Sequence, residues 1–181
     1  MKKLAQASGV PVFTIEYSSQ PRAALGYSFI PLIALFCQLG FWENKSAELE
    51  QMAQMLESLL SRLAEDVATA LNPAKQLAIK LFGRLIVIYG AGVLSPIAQR
   101  WKAQFNENSK SWAFYETFSE LDHNAVVGYE FPQELRDKVY VILLRSPSLY
   151  PRILVRYQIT SEMLHKAGVG HQVIVAKAKT G

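Results

Sequence analysis

Three residues of this chain have types and settings suited to moving protons and steadying negative charge: Glu107, His123 and Arg22. Glu107 stands in Asn106-Glu107-Asn108, at the expected end of a helix that starts near Ser95. A carboxylate there opposes the helix dipole, which makes the position a poor one for solubility alone. The amides of Asn106 and Asn108 beside it form a polar cluster able to hold a substrate hydroxyl, although a helix end running into a loop has the same composition. His123 lies in Ser119-Glu120-Leu121-Asp122-His123-Asn124, a polar loop after an expected strand. Loops that follow parallel strands face the ligand crevice of such sheets, and imidazole is well matched to proton transfer near neutral pH. A surface-loop histidine reads the same way. Arg22, in Gln20-Pro21-Arg22-Ala23-Ala24, puts a cation at a helix start, which is unfavourable unless an anion approaches.

A glycine turn, Gly90-Ala91-Gly92-Val93-Leu94-Ser95, follows the strongest apolar run and nearly fits a dinucleotide fingerprint. Ser95 replaces the third glycine, and Glu116 supplies an acid near the end of the next strand. A nicotinamide dinucleotide is one reading. Backbone N–H groups at a helix start binding a phosphate is a broader one, and a plain turn needs the same glycines. His165 reads as helix surface and His171 as strand-flanking. No Cys/His/Asp grouping has metal-ligand spacing, so no metal is expected. The single cysteine, Cys37, excludes an internal disulfide and reads as a small buried hydrophobe.

The elements that must position these residues follow from pattern. Val12–Glu16 reads as a short strand, and Pro21 opens a helix to about Leu39, kinked near Pro31 and closed by Gly40. Apolar residues recurring every three or four positions predict a second helix from Ser46 to Leu71 with one buried face. Asn72-Pro73 breaks it, and a short helix runs to about Phe82. From Leu85 the pattern changes to apolar runs alternating with helices. Strands are expected at Leu85–Tyr89, Trp112–Phe118, Val139–Leu144 and Gln172–Ala176. Helices are expected from Ser95, as N-cap, through Phe105, and over Tyr150–Ala167. The alternation predicts an α/β fold, a doubly wound parallel sheet over residues 84–181, preceded by a mainly helical segment over residues 1–83.

The chain has 181 residues, half of them hydrophobic, and a formal net charge of +4. That is enough for one compact core, and the mild positive excess suits a small anion such as a phosphate ester. Scattered Lys and Arg fall short of the dense basic face of a nucleic-acid binder. Ala23 to Trp42 carries no charge and approaches a membrane span in length, but Gly26, Ser28, Pro31, Gln38 and Gly40 within it favour a helix buried in protein. The N-terminus lacks an apolar signal core, and a cytoplasmic setting is expected.

Taken in order, PRAALGYSF, NPAKQLA, GRLIVIYG, RWKAQFNENSK and ELDHNAVVGYE resemble the bifunctional phosphoglucose/phosphomannose isomerase family, built from sugar-isomerase (SIS) domains. NENSK followed by ELDHN is the most specific part; beyond Pro132 only the strand and helix pattern continues. The resemblance implies a flavodoxin-like SIS fold and interconversion of glucose 6-phosphate or mannose 6-phosphate with fructose 6-phosphate. Glu107 would move the proton between C2 and C1, and Arg22 would steady the enediolate. His123 would help open the sugar ring in the active site of the partner subunit of a homodimer. Asn106, Asn108, Ser95, Gly90 and Gly92 would bind substrate, with no cofactor. The family also has an N-terminal SIS domain with a Ser/Thr-rich phosphate loop, so residues 1–83 would be the end of that domain plus linker helices. It has a terminal lysine for ring opening too; Lys177 and Lys179 stand in a terminal tail outside any matching motif and do not take that role. A non-catalytic SIS module that binds sugar phosphates or serves as a regulatory dimer is the alternative.

Overall fold

The computed structural model describes residues 1–176; Lys177 and Lys179 lie outside the described residues. The chain divides into two compact units, Met1–Ser61 and Arg62–Gly181.

In the first unit, α1 spans Lys2–Ala7, α2 Leu25–Gln38 and α3 Ser46–Leu63. A single helical turn, Pro21–Ala23, precedes α2, and Gly40 takes the left-handed conformation (φ +75°) that ends the segment. Four expectations need correction here. Val12–Glu16 forms no strand, since no described strand pairs with it. α2 runs unbroken through Pro31 but is not buried, and neither is the apolar face of α3. Cys37 is only half-buried, its thiol donating to the Glu43 carbonyl at 3.1 Å. No described helix is long and apolar enough to cross a membrane.

The second unit opens with α4 (Pro73–Leu81), capped by the fully buried Asn72. The Asn72 Oδ1 accepts from the Ala74 and Lys75 amides (3.0 and 3.1 Å), and its Nδ2 donates to the Ala64 carbonyl at 3.1 Å. Lys75 Nζ donates to the Glu65 and Val67 carbonyls. These side chains take up carbonyls that a longer helix would have used, so α3 stops at Leu63 rather than Leu71.

Then follow β1 (Leu85–Gly90), α5 (Ser95–Gln104), β2 (Ala113–Thr117), α6 (Glu120–Asn124), β3 (Val139–Arg145), α7 (Pro151–Lys166) and β4 (Gly170–Val175). All four strands are parallel, in the order β2-β1-β3-β4. Period-two alternation sends Ile86 and Ile88 of β1 and Tyr140, Ile142 and Leu144 of β3 to one face, packed with Leu77 and Leu81 of α4 and Ala98 and Trp101 of α5. Val87 and Tyr89, with Val141 and Leu143, go to the other, packed with Leu121 of α6 and Tyr157 and Leu164 of α7. Helices therefore cover both faces, as the continuous apolar runs of β1 and β3 require. Leu81 is buried in this core, so α4 packs with the sheet, within the compact unit that starts at Arg62.

Candidate functional site

Gly90 ends β1 because nothing larger fits: a Cβ there would collide with the Leu94 carbonyl and stand 3.0 Å from Ala98 Cβ. Its absence lets the start of α5 close on the strand. Gly92 turns the chain with φ +53°. A single turn, Gly92–Leu94, leads into α5, so Leu94 occupies the cap position and Ser95 is the first helical residue, not the expected N-cap. Packing and turn geometry thus account for both glycines. The same contact serves close helix–strand packing in nucleotide folds without requiring a nucleotide.

α5 runs antiparallel to the strands and unwinds into a wider, π-type turn, Phe105–Ser109, which carries Glu107. Such turns recur at functional sites. Side chains fix this one: Asn106 Nδ2 donates to the Ser111 carbonyl (2.8 Å), Ser109 Oγ to the Phe105 carbonyl (2.7 Å) and Lys110 Nζ to the Glu107 carbonyl (2.6 Å). The Asn108 amide bonds the Gln104 side chain. Half-buried Asn106 therefore shapes the turn, while Glu107 and Asn108 stand exposed. Beside them a groove of about 410 Å³ is lined by Trp101, Gln104, Phe105, Asn108 and Ser109.

His123 is exposed, in the short helix α6 rather than in a loop. Asp122 beside it accepts from Arg156 Nη1 of α7 at 2.6 Å, and Asn124 Nδ2 donates to Glu120 Oε1 at 2.8 Å. The ion pair ties α6 to α7, while the fully buried Leu121 seats α6 on the core. Adjacent in sequence to the histidine, Asp122 was within reach of sequence reasoning; Arg156, thirty-four residues away, was not. Under α6, burial and the neighbouring charge of Glu120 raise the Glu116 carboxyl above its ordinary range. Burial first, with Glu116 and Asp122 adding, pushes Tyr129 up to about 12, and burial raises Tyr89 further still.

These residues fall into separate groups. Gly90, Gly92, Ser95 and His123 share the C-terminal edge of the sheet, where the Phe118 amide donates to the Gly90 carbonyl at 2.9 Å. Glu107 and Asn108 lie at the opposite edge, before β2. Ser95 and Glu107 are about 18 Å apart along the helix, and the five residues of β2 alone separate the two edges by about 16 Å. Within one chain, Glu107 and His123 are therefore well beyond the roughly 3 Å reach of a shared proton transfer. Arg22 belongs to the first unit, in the turn before α2, its Nη1 donating to Gln20 Oε1 at 3.4 Å. His165 is exposed on α7 as expected. His171 is tied in by Ser161 Oγ (2.8 Å) and the Val169 carbonyl (3.0 Å). No group of three or more metal-ligating side chains occurs among the described residues.

Residues 70–181 match the model of the bacterial phospho-glucose isomerase C-terminal SIS domain. A bifunctional phosphoglucose/phosphomannose isomerase of Caldicellulosiruptor bescii is 41% identical over 165 residues, covering 91% of this chain and 49% of that protein. One of the same description from Aquifex aeolicus is 30% identical, covering 91% and 47% respectively. In fold, the chain is similar to the crystal structure of a glucose-6-phosphate isomerase like protein from Thermus thermophilus (TM-score 0.54, 24% identity, 66% of this chain and 39% of that one). The chain spans about half the length of the curated relatives it matches. With the parallel sheet, the expected order of motifs and a family match over more than half its length, the chain belongs to the bacterial phosphoglucose isomerase C-terminal SIS-domain family.

Proposed function

We propose that this chain carries the proton-transfer machinery of an aldose–ketose isomerase acting on phosphorylated hexoses, interconverting glucose 6-phosphate or mannose 6-phosphate with fructose 6-phosphate. Glu107 takes the proton from C2. The C2–H electron pair forms the C1–C2 double bond as the carbonyl π pair moves onto O1. A proton passes from O2 to O1, and Glu107 returns its proton to C1. Arg22 steadies the enediolate charge, and Asn108 holds a hydroxyl beside the carboxylate. Both aldoses lead to the same enediol, so one site serves both. The chemistry calls for no redox cofactor.

The observation that carries this reading is the exposed Glu107 on its π-type turn, in a chain of this family. Two others support it. The two non-glycine residues with left-handed backbone among those described, Lys110 (φ 56°) and Ser119 (φ 82°), flank β2. One follows the Glu107 turn and the other precedes the helix of His123; backbone strain of this kind gathers at functional sites. The separation of Glu107 from His123 also fits a homodimer in which His123 opens the ring in the partner's site. Residues 1–83 act as the end of a preceding SIS domain with its linker, and the enzyme works in the cytoplasm.

The test is conversion of glucose 6-phosphate to fructose 6-phosphate by the wild-type chain and by Glu107→Gln. The substitution is expected to lower turnover at least ~100-fold with the fold intact; undiminished turnover would overturn the assignment. The packing role of Gly90, which removes the need for a ligand at that turn, favours a second reading: a non-catalytic SIS module. Calorimetric binding of a hexose phosphate with no turnover at high protein concentration would select it.

A further inference from the structure

Lys110 closes the π-type turn of Glu107 in two ways. Its backbone N–H donates to the Phe105 carbonyl, and its ammonium reaches back three residues to the Glu107 carbonyl at 2.6 Å. Any residue with a backbone N–H could make the first bond; the second needs this side chain. The backbone of Lys110 is left-handed (φ 56°, ψ 22°). At the end of a helix that conformation suits glycine, or asparagine among residues with a side chain. Lysine is a poor local choice there, and the residue is exposed, so packing does not call for it. What lysine supplies, and glycine lacks, is the cation.

The position of that cation bears on Glu107. Ser109 Oγ and the Lys110 N–H hold the Phe105 carbonyl at the start of the turn, and Asn106 Nδ2 holds the Ser111 carbonyl beyond its end. The peptide that follows Glu107, between those ties, is held by the Lys110 ammonium. Fixing that peptide plane fixes the direction in which the Glu107 side chain leaves the backbone. Among the described residues, no ion pair joins the ammonium to the Glu107 carboxylate. A direct pair would stabilise the ionised carboxylate and weaken it as a base; a bond to the backbone restrains the residue without that effect. We propose that Lys110 is a positioning residue for Glu107, its ammonium locking the turn so that the carboxylate meets C1 and C2 of the substrate in one orientation. The inference rests on the isomerase reading for the reaction it serves, but part of its readout does not depend on turnover.

The experiment compares the complete chain with Lys110→Asn, Lys110→Gly and Lys110→Arg. The first two suit the left-handed backbone but remove the ammonium; the third keeps a charged donor. Urea unfolding of Lys110→Asn and Lys110→Gly should show a midpoint equal to or above that of wild type. Amide exchange over residues 105–111 should nonetheless run at least ~5-fold faster in both, with β1 and β3 unchanged. In glucose 6-phosphate isomerisation their kcat should fall at least ~10-fold while KM stays within about twofold. Lys110→Arg should restore slow exchange and most of the turnover. Wild-type exchange in the first two variants, or wild-type kcat in them when the chain turns over, would overturn the proposal. So would Lys110→Arg as impaired as the other two, or a loss that comes with a lowered urea midpoint, since Lys110 would then be a helix cap only. A wild-type chain without turnover in which the exchange results hold counts against the isomerase reading and leaves the positioning role standing. A chain that turns over equally in all variants does the reverse.

Discussion

Residue identity decided more at some positions than at others. Glu107 stood out because a carboxylate between two amides at a helix end is locally unfavourable, and the structure puts it on an exposed π-type turn. Asn106 read as its equal, but half-buried and bonded to the Ser111 carbonyl, it serves the shape of the turn. Glu116, which in sequence stood out only as an acid near the end of the strand after the glycine turn, has a different physical consequence. Partial burial, then the charge of Glu120, raises its folded-state carboxyl above the unfolded value. For a raised group, the stabilising contribution is present below the unfolded pKa and lost as pH rises through the folded one. The ionised carboxylate therefore costs stability at neutral pH. Glu116→Gln should melt higher than wild type at pH 7, with the difference closing as pH falls below about 4. Thermal melts across that range test the sign: a neutral-pH loss, or a gain that persists in acid, would contradict it.

Among elements, β1 and β3 were readable because strands covered on both faces leave unbroken apolar runs, and the observed strands match those runs within a residue or two. The Val12–Glu16 strand failed because a strand exists only where another strand pairs with it, which five residues of sequence do not specify. The expected helix to Leu71 failed for a nonlocal reason, since Asn72 and Lys75 capture the carbonyls of Ala64, Glu65 and Val67. Burial of α2 and of one face of α3 was argued from composition, which says that a face wants cover but not whether this chain supplies it. The β1–α5 junction gives the clearest test at this scale. Gly90→Ala forces a Cβ into the Leu94 carbonyl, and overpacking of this kind costs about 1–3 kcal/mol. Urea unfolding should show a lowered midpoint at unchanged slope. A neutral substitution would mean that α5 can withdraw from β1 without penalty.

At the scale of the molecule, the sheet order β2-β1-β3-β4 fixes what one chain can do. Because α5 runs against the strands, it carries Glu107 to the edge opposite Ser95, while β2 returns the chain to the edge of His123. Sequence named both residues but could not place them at opposite ends of β2, since that depends on strand direction and order. On the proposed isomerase reading, one hexose meets a Glu107 and a His123 from two different copies of the chain. Mixing separately purified Glu107→Gln and His123→Ala chains, under conditions that exchange subunits, tests it most directly. Each variant alone should be inactive in glucose 6-phosphate isomerisation, and the mixture should regain activity, because exchanged dimers contain one site with both native groups. A mixture as inactive as its components, or full activity in either variant alone, would contradict the shared site.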